Sequence, residues 1–238
     1  SFTKQNYIKM KFGLILSNTK RSKIYYKELI KNNLKPSLII FLNNKKTKKE
    51  ISKSYKIKNE KFIEFKSNNI DTKNISNYIL NSKIINFVYS GYPGKIIRNE
   101  LIFRKKNIIH SHSGKLPEFP GSTTLYYMIL DIKKIFCTTL ILNKNLDKGK
   151  ILLIKKYNFP KNLDLIENDY DNYIRVKNII YTLKKFKYLI KNKTNNKKNN
   201  FLPYYIAHPI IRKMVLKKNM LSKMFKKLNK TILFFPRF

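Results

Sequence analysis

Apolar positions along the chain fall into short runs separated by polar stretches. Several runs are almost uninterrupted by polar residues, which is typical of strands buried on both faces of a sheet. These predicted strands are residues 10–16, 38–42, 62–65, 83–89, 107–109, 136–142 and 151–157.

Between the strands, apolar residues recur at helical spacing. The predicted helices are residues 22–32, 48–55, 74–81, 96–101, 122–131 and 169–191, and Ser122 is the predicted N-cap of the fifth. Strands and helices alternate with short connections. The pattern therefore predicts an α/β fold, with a mostly parallel, doubly wound sheet flanked by helices.

The chain changes character after residue 190. Residues 191–200 contain no apolar side chain, which predicts a mobile polar linker. In residues 201–238, apolar side chains share one helical face and most lysines lie elsewhere, so this stretch is predicted to be a basic amphipathic helical tail. The tail either docks on the α/β domain of residues 1–190 or rests on anionic lipid.

Basic residues outnumber acidic ones by 52 to 13, for a formal net charge of +39. Only six of the basic residues are Arg, and the lysines are spread along the chain together with many Asn and Ile residues. This distribution favours a composition bias of the genome. The alternative is a polyanion partner such as RNA or a membrane surface, although recognition surfaces usually favour Arg.

The composition also suggests a compartment. The single cysteine, Cys137, offers no disulfide framework, which favours a reducing environment. The start of the chain lacks the layout of a signal peptide, and no apolar run is long enough to span a bilayer. We expect a cytoplasmic protein, or one peripheral to the inner face of the membrane.

Candidate chemistry is concentrated in residues 107–151. His110 and His112 are two residues apart at the end of a predicted strand, so their side chains point to one face. A metal site is one interpretation, but it needs further ligands, and the third histidine, His208, lies beyond the linker. The other is acyl transfer to an amine, in which an imidazole stabilises an oxyanion and Asp147 accepts a proton.

Three short motifs point to a known family. They are His110-Ser111-His112, Leu116-Pro117-Glu118-Phe119-Pro120-Gly121 and Leu146-Asp147-Lys148-Gly149. Their order and spacing resemble the formyltransferases that use 10-formyltetrahydrofolate, and the resemblance covers roughly residues 10–160. The chain departs from the family pattern at His110, where Asn is usual, and at Pro120, where Arg is usual.

The resemblance implies a Rossmann-like formyltransferase domain, 10-formyltetrahydrofolate as formyl donor and no metal. His112 and Asp147 take the places of the catalytic residues, with His110 as a second hydrogen-bond donor. The implied cofactor-binding residues are Tyr89, Ser90, Gly91, Tyr92, Gly94 and Leu142. The residues expected to bind substrate are Gly121, Ser122, Thr123 and Thr124. The hydroxyls of residues 122–124, together with those of Tyr126 and Tyr127, suit a sugar.

Three amines are acceptors for enzymes of this kind: initiator methionyl-tRNA, glycinamide ribonucleotide and nucleotide-linked amino sugars. The tRNA enzymes carry a C-terminal β-barrel, which the region after residue 157 does not predict, and the purine enzymes usually end sooner. We therefore expect a nucleotide-linked amino sugar, used for surface polysaccharide such as lipopolysaccharide. The alternative of another class is a catalytically weakened RNA- or membrane-binding protein. A homodimer is among the assemblies left open.

Overall fold

The computed structural model describes residues 10–43, 55, 61–195 and 201–216. Its centre is a seven-stranded sheet in the order β3-β2-β1-β4-β5-β6-β7. The strands are β1 Phe12–Ser17, β2 Leu38–Leu42, β3 Phe62–Phe65, β4 Asn86–Ser90, β5 Asn107–His112, β6 Ile135–Ile141 and β7 Lys150–Tyr157. Every predicted strand is present, although β4 begins three residues later than expected.

The first five strands are parallel, and β6 and β7 are antiparallel to their neighbours. The sheet changes from parallel to antiparallel between β5 and β6, which are connected through residues 113–134, and β7 pairs with β6 after the loop of residues 142–149. The expected mostly parallel sheet is confirmed. Asp147, in the loop between β6 and β7, lies beside His112 at the end of β5.

Helices cover both faces of the sheet. They are α1 Lys20–Lys31, α2 Lys73–Asn81, α3 Glu100–Lys105, α4 Thr124–Asp131, α5 Asp171–Lys184 and α6 Phe186–Lys191. Because side chains alternate along a strand, Leu14 and Leu16 pack in the core under α1 and α5, whereas Ile15 packs in the core under α2 and α3. This arrangement is the doubly wound architecture that the sequence predicts.

Three predicted helix boundaries are wrong. Residues 96–99 are not helical, because the Asp71 carboxylate accepts hydrogen bonds from the backbone N–H groups of Arg98 and Asn99, at 2.8 and 3.1 Å. The helix predicted for residues 169–191 is interrupted at Lys185. The N-cap of α4 is Thr123 rather than Ser122. Of the helix predicted for residues 48–55, only Tyr55 lies among the described residues.

The described part of the C-terminal region docks on the domain. Thr194, in the predicted linker, exchanges two backbone hydrogen bonds with Ile151 of β7. Residues 209–216 are helical, and Ala207 and Val215 are buried in an apolar cluster with α4. Residues 201–216 thus dock on the α/β domain, while residues 217–238 lie outside the described range. Within the described residues, no helix has the length and apolar character needed to cross a bilayer.

Candidate active site

A cavity of about 600 Å³ lies beyond the carboxyl ends of β4 and β5. This is where open parallel sheets collect ligands, because the strand ends and the following loops diverge there. Its wall is formed by the loop of residues 91–97, both strand-end histidines, residues 121–123, 125 and 126, residues 142, 143 and 145–147, and Arg175 of α5. The sheet thus brings together sequence motifs that are far apart in the chain.

His112 and Asp147 meet across this cavity. His112 Nδ1 lies 3.7 Å from Asp147 Oδ2, and both side chains are almost fully buried. Asp147 has a left-handed backbone conformation, with φ of 53°, which Asp tolerates better than most residues. The turn between β6 and β7 therefore directs this carboxylate back toward the end of β5.

One short loop holds both groups. The Phe119 carbonyl lies 2.7 Å from His112 Nε2, and the Gly121 N–H donates to Asp147 Oδ2 at 2.8 Å. Because a carbonyl can only accept, His112 carries a proton on Nε2. His112 Nδ1 is consequently the ring nitrogen that faces the carboxylate.

His110 has a different environment. Its Nδ1 lies 3.2 Å from the Tyr89 carbonyl, so this nitrogen is the donor in the neutral ring. Burial, together with the positive charges of Arg175 and Arg21, holds the pKa of His110 well below its usual range. A neutral His110 has its single N–H directed at Tyr89. The predicted role of His110 as a second oxyanion donor therefore does not fit; its Nε2 is a hydrogen-bond acceptor.

Arg175 organises the floor of the cavity and was missed by the sequence reasoning. Its Nε lies 2.9 Å from both carboxylate oxygens of Asp171, and its terminal nitrogens donate to the Ser111 carbonyl at 2.5 Å and to Ser113 Oγ at 2.6 Å. Burial alone disfavours its charge, but Asp171 and neighbouring groups together raise the pKa of Arg175. The available sequence signal was a single Arg in a helix whose other cations are lysines.

Arg21, at the start of α1, also faces the cavity. One terminal nitrogen donates to the Gly91 carbonyl at 2.6 Å, while its buried Nε has no hydrogen-bond partner among the described residues. Burial and the nearby Arg175 lower the pKa of Arg21. An anionic ligand would relieve both conditions, because it supplies an acceptor and an opposite charge.

Most of the predicted cofactor-binding residues line the cavity: Tyr89, Gly91, Tyr92, Gly94 and Leu142. Ser90 does not. Its hydroxyl lies 3.0 Å from Ser22 Oγ, and its carbonyl accepts from Ser17 and Ser22 at the α1 face of the sheet. The hydrogen bonds of Ser90 thus join β4 to β1 and to the start of α1, outside the cavity wall.

The predicted substrate-binding residues divide in the same way. Gly121, Ser122 and Thr123 line the cavity. Thr124 is buried, its hydroxyl donates to the Ser113 carbonyl, and it is not among the residues that line the cavity. Tyr126, also on α4, lines the cavity.

Metal-ligating groups are not clustered in the part of the chain that the structure describes. There, no three His, Cys, Asp or Glu side chains lie close enough together to hold a metal ion. The ionisable groups that line the cavity include two imidazoles, the carboxylates of Asp147 and Asp171 and two guanidinium groups.

The fold has clear relatives among solved structures. A sugar N-formyltransferase from Shewanella sp. superposes with a TM-score of 0.57 at 16% identity, over 83% of this chain and 77% of that one. A phosphoribosylglycinamide formyltransferase from Anaplasma phagocytophilum gives a TM-score of 0.54 at 15% identity, over 83% and 98%. An N-formyltransferase from Helicobacter canadensis, in complex with folinic acid and dTDP-3-aminofucose, gives 0.51 at 20% identity, over 83% and 70%.

The sequence itself gives no such match. No family model matches it, and a search of curated proteins finds no relative. At these low identities the structures establish the architecture. The chain therefore has the formyltransferase fold, and at the level of the fold the resemblance inferred from the motifs is confirmed.

Proposed function

We propose that this protein transfers a formyl group from 10-formyltetrahydrofolate to the amine of a small substrate. The observation that carries the proposal is the meeting of His112 and Asp147 across one cavity, beside the loop of residues 91–97. The formyltransferase fold supports it, as does the Helicobacter canadensis relative that holds a folate compound. None of the described residues forms the ligand cluster that a metal-dependent alternative would need.

The reaction is a direct transfer. The neutral amine of the substrate attacks the formyl carbon of the donor, and a tetrahedral oxyanion forms. As an imidazolium, with protons on both ring nitrogens, His112 stabilises this oxyanion, while Asp147 accepts the proton that the amine gives up. When the intermediate collapses, the bond between the formyl carbon and N10 of the folate breaks. N10 takes up the proton that Asp147 accepted, and tetrahydrofolate leaves.

The phenylalanine carbonyl explains why His112 suits this role. The carbonyl oxygen accepts a hydrogen bond from His112 Nε2–H at 2.7 Å, which fixes the orientation of the ring and leaves Nδ1 directed toward the reacting groups. His110 does not need to change its charge. Its unprotonated Nε2 accepts a hydrogen bond, and a neutral amine is a suitable donor.

The acceptor that the cavity favours is a nucleotide-linked amino sugar. Arg21 offers an unsatisfied buried donor to a phosphate, and Ser122 lies on the cavity wall next to Gly121, whose N–H binds Asp147. The Helicobacter canadensis relative contains dTDP-3-aminofucose. We place the reaction in the synthesis of a surface polysaccharide such as lipopolysaccharide, in the cytoplasm. Glycinamide ribonucleotide is the second candidate, because it also carries a phosphate and the Anaplasma phagocytophilum relative is named a phosphoribosylglycinamide formyltransferase.

The experiment that tests the proposal follows the release of tetrahydrofolate. The protein is incubated with 10-formyltetrahydrofolate and a panel that contains nucleotide amino sugars, glycinamide ribonucleotide and methionyl-tRNA. We expect turnover with an amino sugar, and a loss of about 100-fold or more in both His112→Ala and Asp147→Ala. Asp164→Ala is the control, because that carboxylate is exposed and is not among the residues that line the cavity. Equal turnover in all three variants would show that the chemistry lies elsewhere.

A further inference from the structure

An extended segment of the C-terminal region, residues 201–208, crosses the loop of residues 119–123. The backbone of this loop forms hydrogen bonds with the side chains of the two proposed catalytic residues. We call this segment the strap. Tyr204 N–H donates to the Pro120 carbonyl at 2.9 Å, and Ser122 N–H donates to the Tyr204 carbonyl at 2.8 Å. The backbone of Tyr204 is thus hydrogen-bonded on both sides of Gly121.

The approach of the strap depends on glycine at position 121. Gly121 has φ of 100°, and a Cβ built there would lie 2.3 Å from the Tyr204 carbonyl oxygen and 2.6 Å from its backbone nitrogen. Both the positive φ and this contact exclude other residues without a rearrangement. The loop and the strap are therefore fitted to each other.

The side chain of Tyr204 adds a second set of contacts. Its ring is stacked on Phe119, with ring centroids 5.6 Å apart and planes 11° apart, and it packs on Tyr127 at 4.5 Å. A third link comes from Ala207, whose N–H donates to Thr123 Oγ1 at 2.7 Å. These contacts restrain residues 119–123.

The restrained loop is also the one that orients the reacting groups. The Phe119 carbonyl binds His112 Nε2, and the Gly121 N–H binds Asp147 Oδ2. The two backbone groups that bind the catalytic side chains are therefore only two residues apart, in the loop that Tyr204 contacts. A shift of this loop changes the positions of the imidazole and the carboxylate together.

We propose that the strap is a positioning element of the active site, in which Tyr204 sets the relative placement of His112 and Asp147 without touching either. This inference rests on the proposed formyl transfer. The strap also reaches the cavity directly, because Ile206 lies in its wall. The C-terminal region thus completes the active site of the α/β domain.

The strap is suited to positioning rather than to general stability. Leu202 and Tyr205 are 84% and 89% exposed, so much of the segment contributes little to the buried core. Loss of the Tyr204 ring should therefore leave the sheet and its helices folded. What it should change is the geometry of one loop, and small displacements of reacting groups are costly, at about 100-fold in rate for about 1 Å.

The test compares Tyr204→Ala, Tyr204→Phe and Tyr188→Ala in the full chain. Tyr188 is a matched control because its ring is 67% exposed on α6. We expect Tyr204→Ala to lower kcat by about 10- to 100-fold, with the KM for 10-formyltetrahydrofolate changed less than about threefold. Tyr204→Phe, which keeps the stacked ring, should restore kcat. Tyr188→Ala should behave as the unchanged protein does.

Hydrogen exchange gives a readout that does not depend on turnover. The Ser122 amide is bonded to Tyr204, so exchange over residues 119–123 should accelerate by about tenfold or more in Tyr204→Ala alone. Unchanged exchange and unchanged kcat in Tyr204→Ala would overturn the inference. A fall in thermal stability with full kcat would also overturn it, because that result describes a merely structural residue. Absence of turnover in the unaltered protein would instead count against the proposed function, and exchange would still decide the role of the strap.

Discussion

At the scale of single residues, the two histidines of the strand end have different tasks despite their period-two spacing. His112 is held by the Phe119 carbonyl and faces Asp147, whereas His110 donates to Tyr89 and is kept neutral by burial and two guanidinium groups. The sequence predicts that both side chains reach one space, and they do. It could not predict their protonation, because Arg21 and Arg175 are distant in the chain.

The lowered pKa of His110 makes folding sensitive to pH. Below the ordinary pKa of histidine, the unfolded chain binds a proton at residue 110 that the folded protein does not. Stability therefore falls as the pH decreases below about 6.5, with a slope approaching about 1.4 kcal/mol per pH unit from this group. Urea unfolding of the protein and of His110→Asn at about pH 7.5 and 5.5 measures the effect. An equal loss in both proteins would contradict it.

Arg21 should contribute to binding of an anionic acceptor. Removal of its charge in Arg21→Met should raise the KM for a nucleotide-linked amino sugar by about tenfold, with a smaller change in kcat. Lys23→Met is the control, because Lys23 is exposed on the same helix. Steady-state kinetics with the sugar nucleotide and with an uncharged amino sugar separate the effects. The same rise in KM for both acceptors would argue against an anion contact.

At the scale of elements, strands were predictable because burial on both faces leaves apolar runs such as residues 38–42. The errors have long-range causes. Asp71, which is distant in the chain, accepts hydrogen bonds from the backbone of residues 98 and 99, so α3 begins later than predicted. Thr123 is directed to the strap, where its Oγ1 accepts from Ala207, so the start of α4 differs from a usual cap. Neither contact leaves a local pattern in the sequence.

The Gly121 loop supplies a stability prediction at this scale. Gly121→Ala should lower the free energy of unfolding by about 2–3 kcal/mol or more, because it adds a clash with Tyr204 to an unfavourable φ. Gly94→Ala shares the positive φ but has open space around its Cβ, so it should cost only about 1 kcal/mol. Chemical denaturation of both variants provides the comparison. Equal costs would show that the strap does not constrain Gly121.

At the scale of the whole molecule, the charge of +39 and the cavity are separate properties. The guanidinium groups that face the cavity belong to two of only six arginines, whereas the lysines are spread along the chain. The fold class and the pairing of His112 with Asp147 could be predicted from the motifs and the strand order. The arginines and the strap could not, because they reach the cavity only through tertiary packing.

Ionic strength separates an enzyme from a polyanion-binding protein on the same fold. Turnover of one sugar nucleotide should change less than about tenfold between about 50 and 200 mM salt, because few charges are neutralised. Binding of RNA through many lysines would weaken by about 1000-fold over that range. Formyl transfer and RNA binding measured in the same buffers make the comparison. A steep loss of turnover in step with RNA release would favour the binding protein.

The most direct measurement is the transfer of labelled formyl from 10-formyltetrahydrofolate to a nucleotide amino sugar by the protein and by Asp147→Asn. The amide oxygen of asparagine can still accept from Gly121 but cannot take a proton from the amine. We predict transfer by the unaltered protein. For Asp147→Asn we predict a loss of about 100-fold or more in kcat, with binding of 10-formyltetrahydrofolate retained. Transfer by Asp147→Asn within about twofold of the unaltered protein would contradict the role assigned to Asp147.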